Sequence, residues 1–289
     1  MAKPKILMQL DPDTHASMFD AVVAVDSGID HLLQYHSVLP EAVEGLVHGA
    51  MFTRGVPDLC STAIFIGGSN VAAGEALLKR VKQCFFGPMR VSVLLDANGA
   101  NTTAVAAVLA AVKHVPAAGA TATVLAGTGP VGQRVARLLA RMGAAVRIAS
   151  RSMEKAVAVC DAIRERIPSA ELTPVVTAND SQTAAALEGS HIVVSAGAAK
   201  AQLLSLSVRQ GANSLKVAID LNAVPPLGIE GIEVMDKAAE REGVICYGAI
   251  GVGGTKMKIH KAAIAKLFTA NNLVLDAEEV LEIGQELTA

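Results

Sequence analysis

Short apolar runs alternate with amphipathic stretches along most of the chain, most clearly in its second half. Residues 122–126 form an apolar run that predicts a strand, and a glycine-rich turn follows. From 131 to 142, Val131, Val135, Leu138, Leu139 and Met142 share one helical face, with Arg134, Arg137 and Arg141 on the other. Gly143 closes that helix, and 145–149 reads as a second strand. The alternation continues with a helix at 153–167 stopped by Pro168, a strand at 172–176 and a helix at 181–187. A strand at 191–195, a helix at 201–208 and strands at 216–221 and 244–247 complete it. Such spacing predicts a parallel sheet with right-handed crossovers. The first hundred residues predict strands at 5–10, 62–66 and 90–95, and helices near 17–25 and at 71–83. A helix at 102–114 is placed between two domains, and helices at 258–268 and 276–287 are placed back on the first. The expected architecture is therefore two α/β domains, 102–264 and a smaller discontinuous one from 1–101 and 265–289.

Composition narrows the chemistry. Hydrophobic residues make up 52% of the 289, but aromatics only 3%, so the core must be built from Ala, Val, Leu and Ile. That suits buried parallel strands under small-residue helices. A formal net charge of −2 provides no electrostatic footprint for nucleic acid or an anionic membrane. The densest basic run, Lys79 to Lys82, reads as a solvated helix face. Cys60, Cys84, Cys160 and Cys246 have neither metal-ligand nor redox spacing, which predicts reduced thiols and a cytoplasmic protein. Residues 1–9 are too short, and too soon followed by Asp11 and Asp13, for a signal peptide. No apolar run reaches the roughly 20 residues of a membrane span. His31 and His36 are isolated, so no metal site is expected.

The turn Gly127-Thr128-Gly129-Pro130-Val131-Gly132 carries the strongest chemical signal. Gly-x-Gly-x-x-Gly alone is weak, but here it follows a strand, opens a helix and precedes a second strand, the context of a Rossmann-type dinucleotide site. Gly127 permits the tight turn, Gly129 lets backbone approach a pyrophosphate, and Gly132 lets helix and strand pack. The helix N-terminus offers amides and partial positive charge to phosphate. In NAD-specific folds an acid about 20 residues on holds the ribose hydroxyls. Here Ser150-Arg151-Ser152 occupies that stretch, and an arginine with two hydroxyls suits a 2′-phosphate. The cofactor is read as NADP, with NAD use left open. Ser195-Ala196-Gly197, the segment starting at Asn222, and the turn containing Gly251 are expected to line the same crevice.

Two further segments suit a substrate. Asp96 to Thr103 packs one carboxylate, two amides (Asn98, Asn101) and two hydroxyls (Thr102, Thr103) around Gly99; Asn101 or Thr102 would also serve as an ordinary helix cap. Lys256, Lys258 and His260 share one face if their segment is extended, and could hold an anionic or carbonyl-rich molecule. Asp20 and His15 near the first helix are ambiguous.

Together these strings resemble the methylene-tetrahydromethanopterin dehydrogenases of methylotrophic bacteria, almost end to end. The resemblance rests on 61–65 with Gly67-Gly68, on 72–75 and 85–88, and on Asn98-Gly99 with Asn101-Thr102-Thr103. It continues through 124–132, 225–229, 264–268 and 276–279. It implies a two-domain α/β enzyme, with an NADP domain and a substrate and oligomerisation domain. Hydride would pass from methylene-tetrahydromethanopterin to NADP in a homo-oligomer, a trimer by family analogy. It also implies a pterin bordered by Asp20, Asp96, Asn98, Gly99, Asn101, Thr102 and a catalytic Lys256. Folate enzymes that also hydrolyse the methenyl product carry Tyr-x-x-x-Lys; Tyr35 is followed four residues later by Leu39, so no cyclohydrolase activity is expected. The competing readings are a methylene-tetrahydrofolate dehydrogenase, a shikimate dehydrogenase-like NADP oxidoreductase, and a non-catalytic NADP sensor. The second needs a paired Lys and Asp and a Ser-rich motif in the first domain, and here Lys79 and Lys82 lie on an amphipathic helix. The sensor has no use for the polar segment at Asn98.

Overall fold

The computed structural model describes residues 3–288. Met1, Ala2 and Ala289, all within the span assigned to the first domain, and the first two also within the signal-peptide question, lie outside the described residues. The chain divides into two compact units, one of residues 1–102 with 257–289 and one of 103–256. The return to the first unit falls inside a helix rather than at 265.

The first unit holds a five-stranded parallel sheet of β1 (Ile6–Leu10), β2 (His31–Tyr35), β3 (Thr62–Ile66), β4 (Ser92–Leu95) and β12 (Val274–Leu275), in the order β12-β4-β3-β1-β2. Its helices are α1 (Met18–Asp26), α2 (Val43–Phe52), α3 (Val71–Gln83) and α10 (Ala277–Thr288). Ser17 and Asn70 cap α1 and α3 by accepting from Asp20 and Ala73 amides. β3 is buried throughout, as a central strand covered on both faces should be. β2 and α2 were not read from the sequence. β2 is an edge strand exposed at four of its five positions, so no buried face imposes an alternation.

The second unit holds a seven-stranded sheet. Its strands are β5 (Thr121–Leu125), β6 (Ala145–Ser150), β7 (Leu172–Val176), β8 (Ile192–Ser195), β9 (Val217–Asp220), β10 (Lys237–Arg241) and β11 (Val244–Tyr247), in the order β10-β11-β9-β8-β5-β6-β7. From β5 the chain steps outward through β6 and β7, then returns and steps the other way through β8 and β9. That reversal beside β5 is the topological switch point of a doubly wound sheet. The strands expected from the sequence pair in parallel throughout this sheet; the added edge strand β10 runs antiparallel to β11. The hairpin turns at Glu242 and Gly243, both at positive φ, and the polar strand β10 carries no sequence signature of a strand.

Helices α5 (Pro130–Arg141), α6 (Met153–Arg166), α7 (Asp180–Leu187) and α8 (Leu206–Gly211) cover the sheet, while α4 (Ala100–Val112) and α9 (Ala249–Lys266) each contribute to both units. Three helical expectations change. Residues 201–205 are not helical, because Leu203 and Leu204 amides donate to Gly228 O at 2.8 and 3.0 Å. The glycine-rich segment 249–254 is the start of α9, not a loop, and a Cβ on Gly251 would collide with Asp236 O. Residues 255–260 are therefore helical rather than extended. Lys256 and His260, four apart, share a face, and exposed Lys258 points elsewhere. Arg134, read in the sequence on the face of α5 opposite Val131 and Val135, is buried and donates to Pro130 O at 3.1 Å.

Candidate active site

The dinucleotide turn joins β5 to α5, and its three glycines do different work. A Cβ on Gly127 would lie 2.9 Å from Val124 O and 3.0 Å from an Ile148 methyl. On Gly132 it would lie 2.7 Å from Ala126 O and 2.8 Å from Gly127 Cα. These two positions are closed by the protein's own packing. A Cβ on Gly129 would meet nothing nearer than Ala126 O at 3.4 Å and Ala196 O at 3.7 Å. Gly129 is the N-cap of α5, with Pro130 at the first helical position, so the helix opens on backbone amides and a partial positive charge.

A cavity of about 790 Å³ opens beside this turn, lined by Thr128, Ser150, Arg151, Ser152, Gly197 and residues after β7. Its volume is within the range of a cofactor-sized site. The Ser150 and Ser152 hydroxyls shape the β6–α6 turn: Ser150 Oγ accepts from Ser152 N at 3.2 Å, and Ser152 Oγ caps α6 by accepting from Lys155 N at 3.3 Å. Exposed Arg151 and Lys155 bring positive charge to the rim. Lys155, Thr177 and Asn179 were missed in the sequence. Lys155 stands four residues after Arg151 at a helix start, a spacing that brings the two cations to one turn. Ser195 and Asn222 are buried rather than lining an open surface, and Ala196 is partly exposed. Gly251 lies within α9.

The first unit gathers a polar cluster at the carboxyl ends of β1, β3 and β4. Asp96 is the true cap of α4: its Oδ1 accepts from the Asn101 and Thr102 amides at 2.9 and 3.1 Å, and its Oδ2 from Thr102 Oγ1 at 2.6 Å. Asn101 Nδ2 donates to Leu95 O at 2.6 Å and Asp276 Oδ1 at 2.9 Å. Asp96, Asn101 and Thr102 are thus buried and held by hydrogen bonds within the protein. Asn98 is exposed and Gly99 half-buried at the rim, both at positive φ, with Asn98 N donating to Gly68 O at 2.6 Å. Fully buried His260 has its Nδ1 3.9 Å from Asp96 Oδ2 and its ring 5.5 Å from that of Phe65. Gln9, also buried, accepts from Gln34 Nε2 at 3.1 Å. A polar residue inside the apolar strand at 5–10 was the available signal for it. Gly67 makes room for the Asp20 carboxylate, since a Cβ there would sit 2.8 Å from Asp20 Oδ2.

Burial pushes the Asp20 carboxyl up to about 6; His260 opposes the shift, and Asp96 and Asp11 add to it. An acid whose folded-state pKa is raised lowers stability as pH climbs from about 3.8 to about 6, and the full penalty stands above that. Asp20→Asn is therefore expected to raise Tm at pH 8 by relieving a penalty on the order of 2–3 kcal/mol. The gain should shrink at pH 5. Calorimetry at both pH values checks this, and a gain equal at both would refute the buried charge as its source.

The family model for the methylene-tetrahydromethanopterin dehydrogenase N-terminal domain matches residues 18–98, and that for the saccharopine dehydrogenase NADP-binding domain matches 123–246. The bifunctional protein MdtA of Methylorubrum extorquens is 46% identical over 98% of this chain and 99% of its own. The chain belongs to the methylene-tetrahydromethanopterin dehydrogenase family. A second M. extorquens family member, the NAD(P)-dependent methylenetetrahydromethanopterin dehydrogenase, is 28% identical over 98% of each chain. The fold is also that of a shikimate 5-dehydrogenase from Mycobacterium fortuitum, at TM-score 0.56, 17% identity and 98% coverage of both chains. Asp20, Asp96 and Asn98 fall inside the first family match, and the Gly127 turn, Arg151 and Asn222 inside the second. Lys256 and Gly251 lie beyond both. Among the described residues no cluster could hold a metal, and no helix is long and apolar enough to cross a membrane.

Proposed function

We propose that the protein oxidises methylene-tetrahydromethanopterin to the methenyl form by hydride transfer to NADP. The observation that carries this reading, in a chain of this family, is the cavity beside the Gly127 turn, whose rim bears Arg151 and Lys155 and has no acid at the end of β6. When bound, the nicotinamide supplies the hydride acceptor. The phosphates would lie on the α5 amides and the 2′-phosphate against Arg151, with the Ser150 and Ser152 hydroxyls beside it. The oxidised pterin is a cation spread over two nitrogens, so the reaction needs no general base. Positioning and electrostatics suffice. Asn98 and Gly99 would contact the pterin, with Asp96, Asn101 and Thr102 holding them and Asp20 bordering the same cluster. Lys256 would bind a carbonyl or amide edge of the ring or suppress hydration of the product. The same reading makes the protein a cytoplasmic homo-oligomer, a trimer by family analogy.

The test is reduction of NADP or NAD by purified protein, with methylene-tetrahydromethanopterin or methylene-tetrahydrofolate as donor. NADP reduction with the methanopterin donor is expected, and no reduction with either donor would sink the reading. Arg151→Ala should raise KM for NADP about tenfold or more, the worth of one charge-assisted bond, while KM for NAD stays within about twofold. Equal effects on both cofactors would remove Arg151 from the 2′-phosphate.

A further inference from the structure

We propose that Asp220 is a positioning residue for hydride transfer: its buried carboxylate staples both ends of loop 222–229 and so sets the floor under the nicotinamide. The inference rests on the reading that NADP lies at the Gly127 turn. Asp220 is the last residue of β9 and only 1% exposed. Its Oδ1 accepts from Asn222 N at 3.1 Å and its Oδ2 from Ile229 N at 3.0 Å. One side chain therefore fixes the two ends of an eight-residue segment. Inside the loop, Asn222 Nδ2 donates to Pro226 O at 3.1 Å and Asn222 Oδ1 accepts from Val224 N at 3.0 Å. The far end is tied down by the Leu203 and Leu204 amides on Gly228 O. Only Ala223 to Pro226 are left exposed.

The location gives the staple its meaning. In a doubly wound sheet the two halves of a dinucleotide lie on opposite sides of the switch point, across the carboxyl ends of the strands. Ser150 and Arg151 end β6 on one side, where the adenosine half belongs. β9 lies beyond β8 on the other side, so the loop leaving Asp220 borders the nicotinamide half. A buried carboxylate is costly unless it is fully hydrogen-bonded. Burial lifts the Asp220 carboxyl above its ordinary value, and the amides of Ile229, Asn222 and Gly228 pull it back. Gly228 is cut to fit the same spot: a Cβ there would collide with Ser195 Oγ and lie 2.6 Å from Asp220 Oδ1. Only a carboxylate accepts at both oxygens. An amide in its place turns an NH₂ group against one of the two backbone N–H donors and frees one end of the loop.

The test separates the two halves of the cofactor with 2′,5′-ADP, which lacks the nicotinamide. In Asp220→Asn, 2′,5′-ADP should bind within about twofold of the unaltered protein by calorimetry. The kcat of NADP reduction should fall about tenfold or more, as expected when reacting atoms are misplaced by a fraction of an ångström. Unchanged kcat would overturn the proposal. So would a loss of 2′,5′-ADP affinity as large as the loss in kcat, which would make Asp220 a general support of the sheet. If Asp220→Asn does not fold, Gly228→Ala crowds the same carboxylate from the loop side and must show the same split. Failure of the unaltered protein to bind 2′,5′-ADP would instead overturn the cofactor site itself, and the role of Asp220 with it.

Discussion

Gly129→Val should abolish NADP binding, at least a hundredfold in Kd, and leave the fold intact. The expectation comes from the unequal surroundings of the three turn glycines. Gly127 and Gly132 have protein backbone within 3 Å of where a Cβ would go, so side chains there would break the β5–α5 packing. At Gly129 the nearest atoms are at ordinary contact distance and φ is −75°, a conformation open to any residue. The Cβ of a valine is therefore accommodated by the protein itself. It would project where a pyrophosphate must approach the α5 amides, and a charge-assisted anion site that loses its closest approach loses most of its worth. Fluorescence titration with NADPH measures the affinity, and circular dichroism with Tm checks the fold. Normal affinity would place the cofactor elsewhere. Gly132→Val is the control: it should lose binding and stability together.

Asp96→Ala should cost about 3–5 kcal/mol of stability in the first unit. Three buried or partly buried donors converge on this one carboxylate: the Asn101 and Thr102 amides and the Thr102 hydroxyl. Loss of a helix cap alone costs about 1 kcal/mol, and each buried donor left without a partner adds about 1–3 kcal/mol. The loss should be read as a fall in Tm of ten degrees or so by calorimetry. Asp96→Asn, which keeps the shape and one acceptor, should lose roughly half as much. Because Asp96 also helps raise the Asp20 carboxyl, its removal should lower the pKa of Asp20. A Tm within two degrees of the unaltered protein for Asp96→Ala would show that α4 does not depend on this cap.

The proposed cofactor half of the site rests on residues that lie close together in the sequence. A tight turn, a close backbone approach and a helix N-terminus are all specified by residues 127–132, and Ser150-Arg151-Ser152 lies one strand further on. Lys155 is equally close in sequence, but only the start of α6 brings it to the rim beside Arg151. The second half was legible only as an inventory. The segment 96–103 announced hydrogen-bonding capacity, but not that Asp96 turns inward to cap α4 while Asn98 stays on the rim. Which member of a polar string faces inward is decided by the strands and helices packed around it. Gln9 and Asp220 stood in plain view inside apolar strands, and their partners lie 25 residues away (Gln34) and nine residues away (Ile229).

The departures from the sequence reading have two physical origins. The glycines at 248–254 read in the sequence as a turn lining the cofactor crevice. In fact Gly248 and Gly251 are there because the first turns of α9 press against the Glu233 and Asp236 carbonyls. That contact puts Lys256 on a helix, and on the face of His260 rather than that of Lys258. The edge strands β2 and β10 were missed because a strand with no buried face leaves no periodic trace. By itself the sequence determined most of the alternation of strands and helices, the division into two α/β units and the glycine-rich β5–α5 turn, since each follows from local periodicity or from glycine at a few adjacent positions. Only the tertiary structure decided which polar residues are buried as scaffold, which face the cavity, and that one carboxylate at the end of β9 holds a whole loop. Those outcomes depend on side chains brought together from distant parts of the chain, where desolvation makes every unsatisfied donor costly.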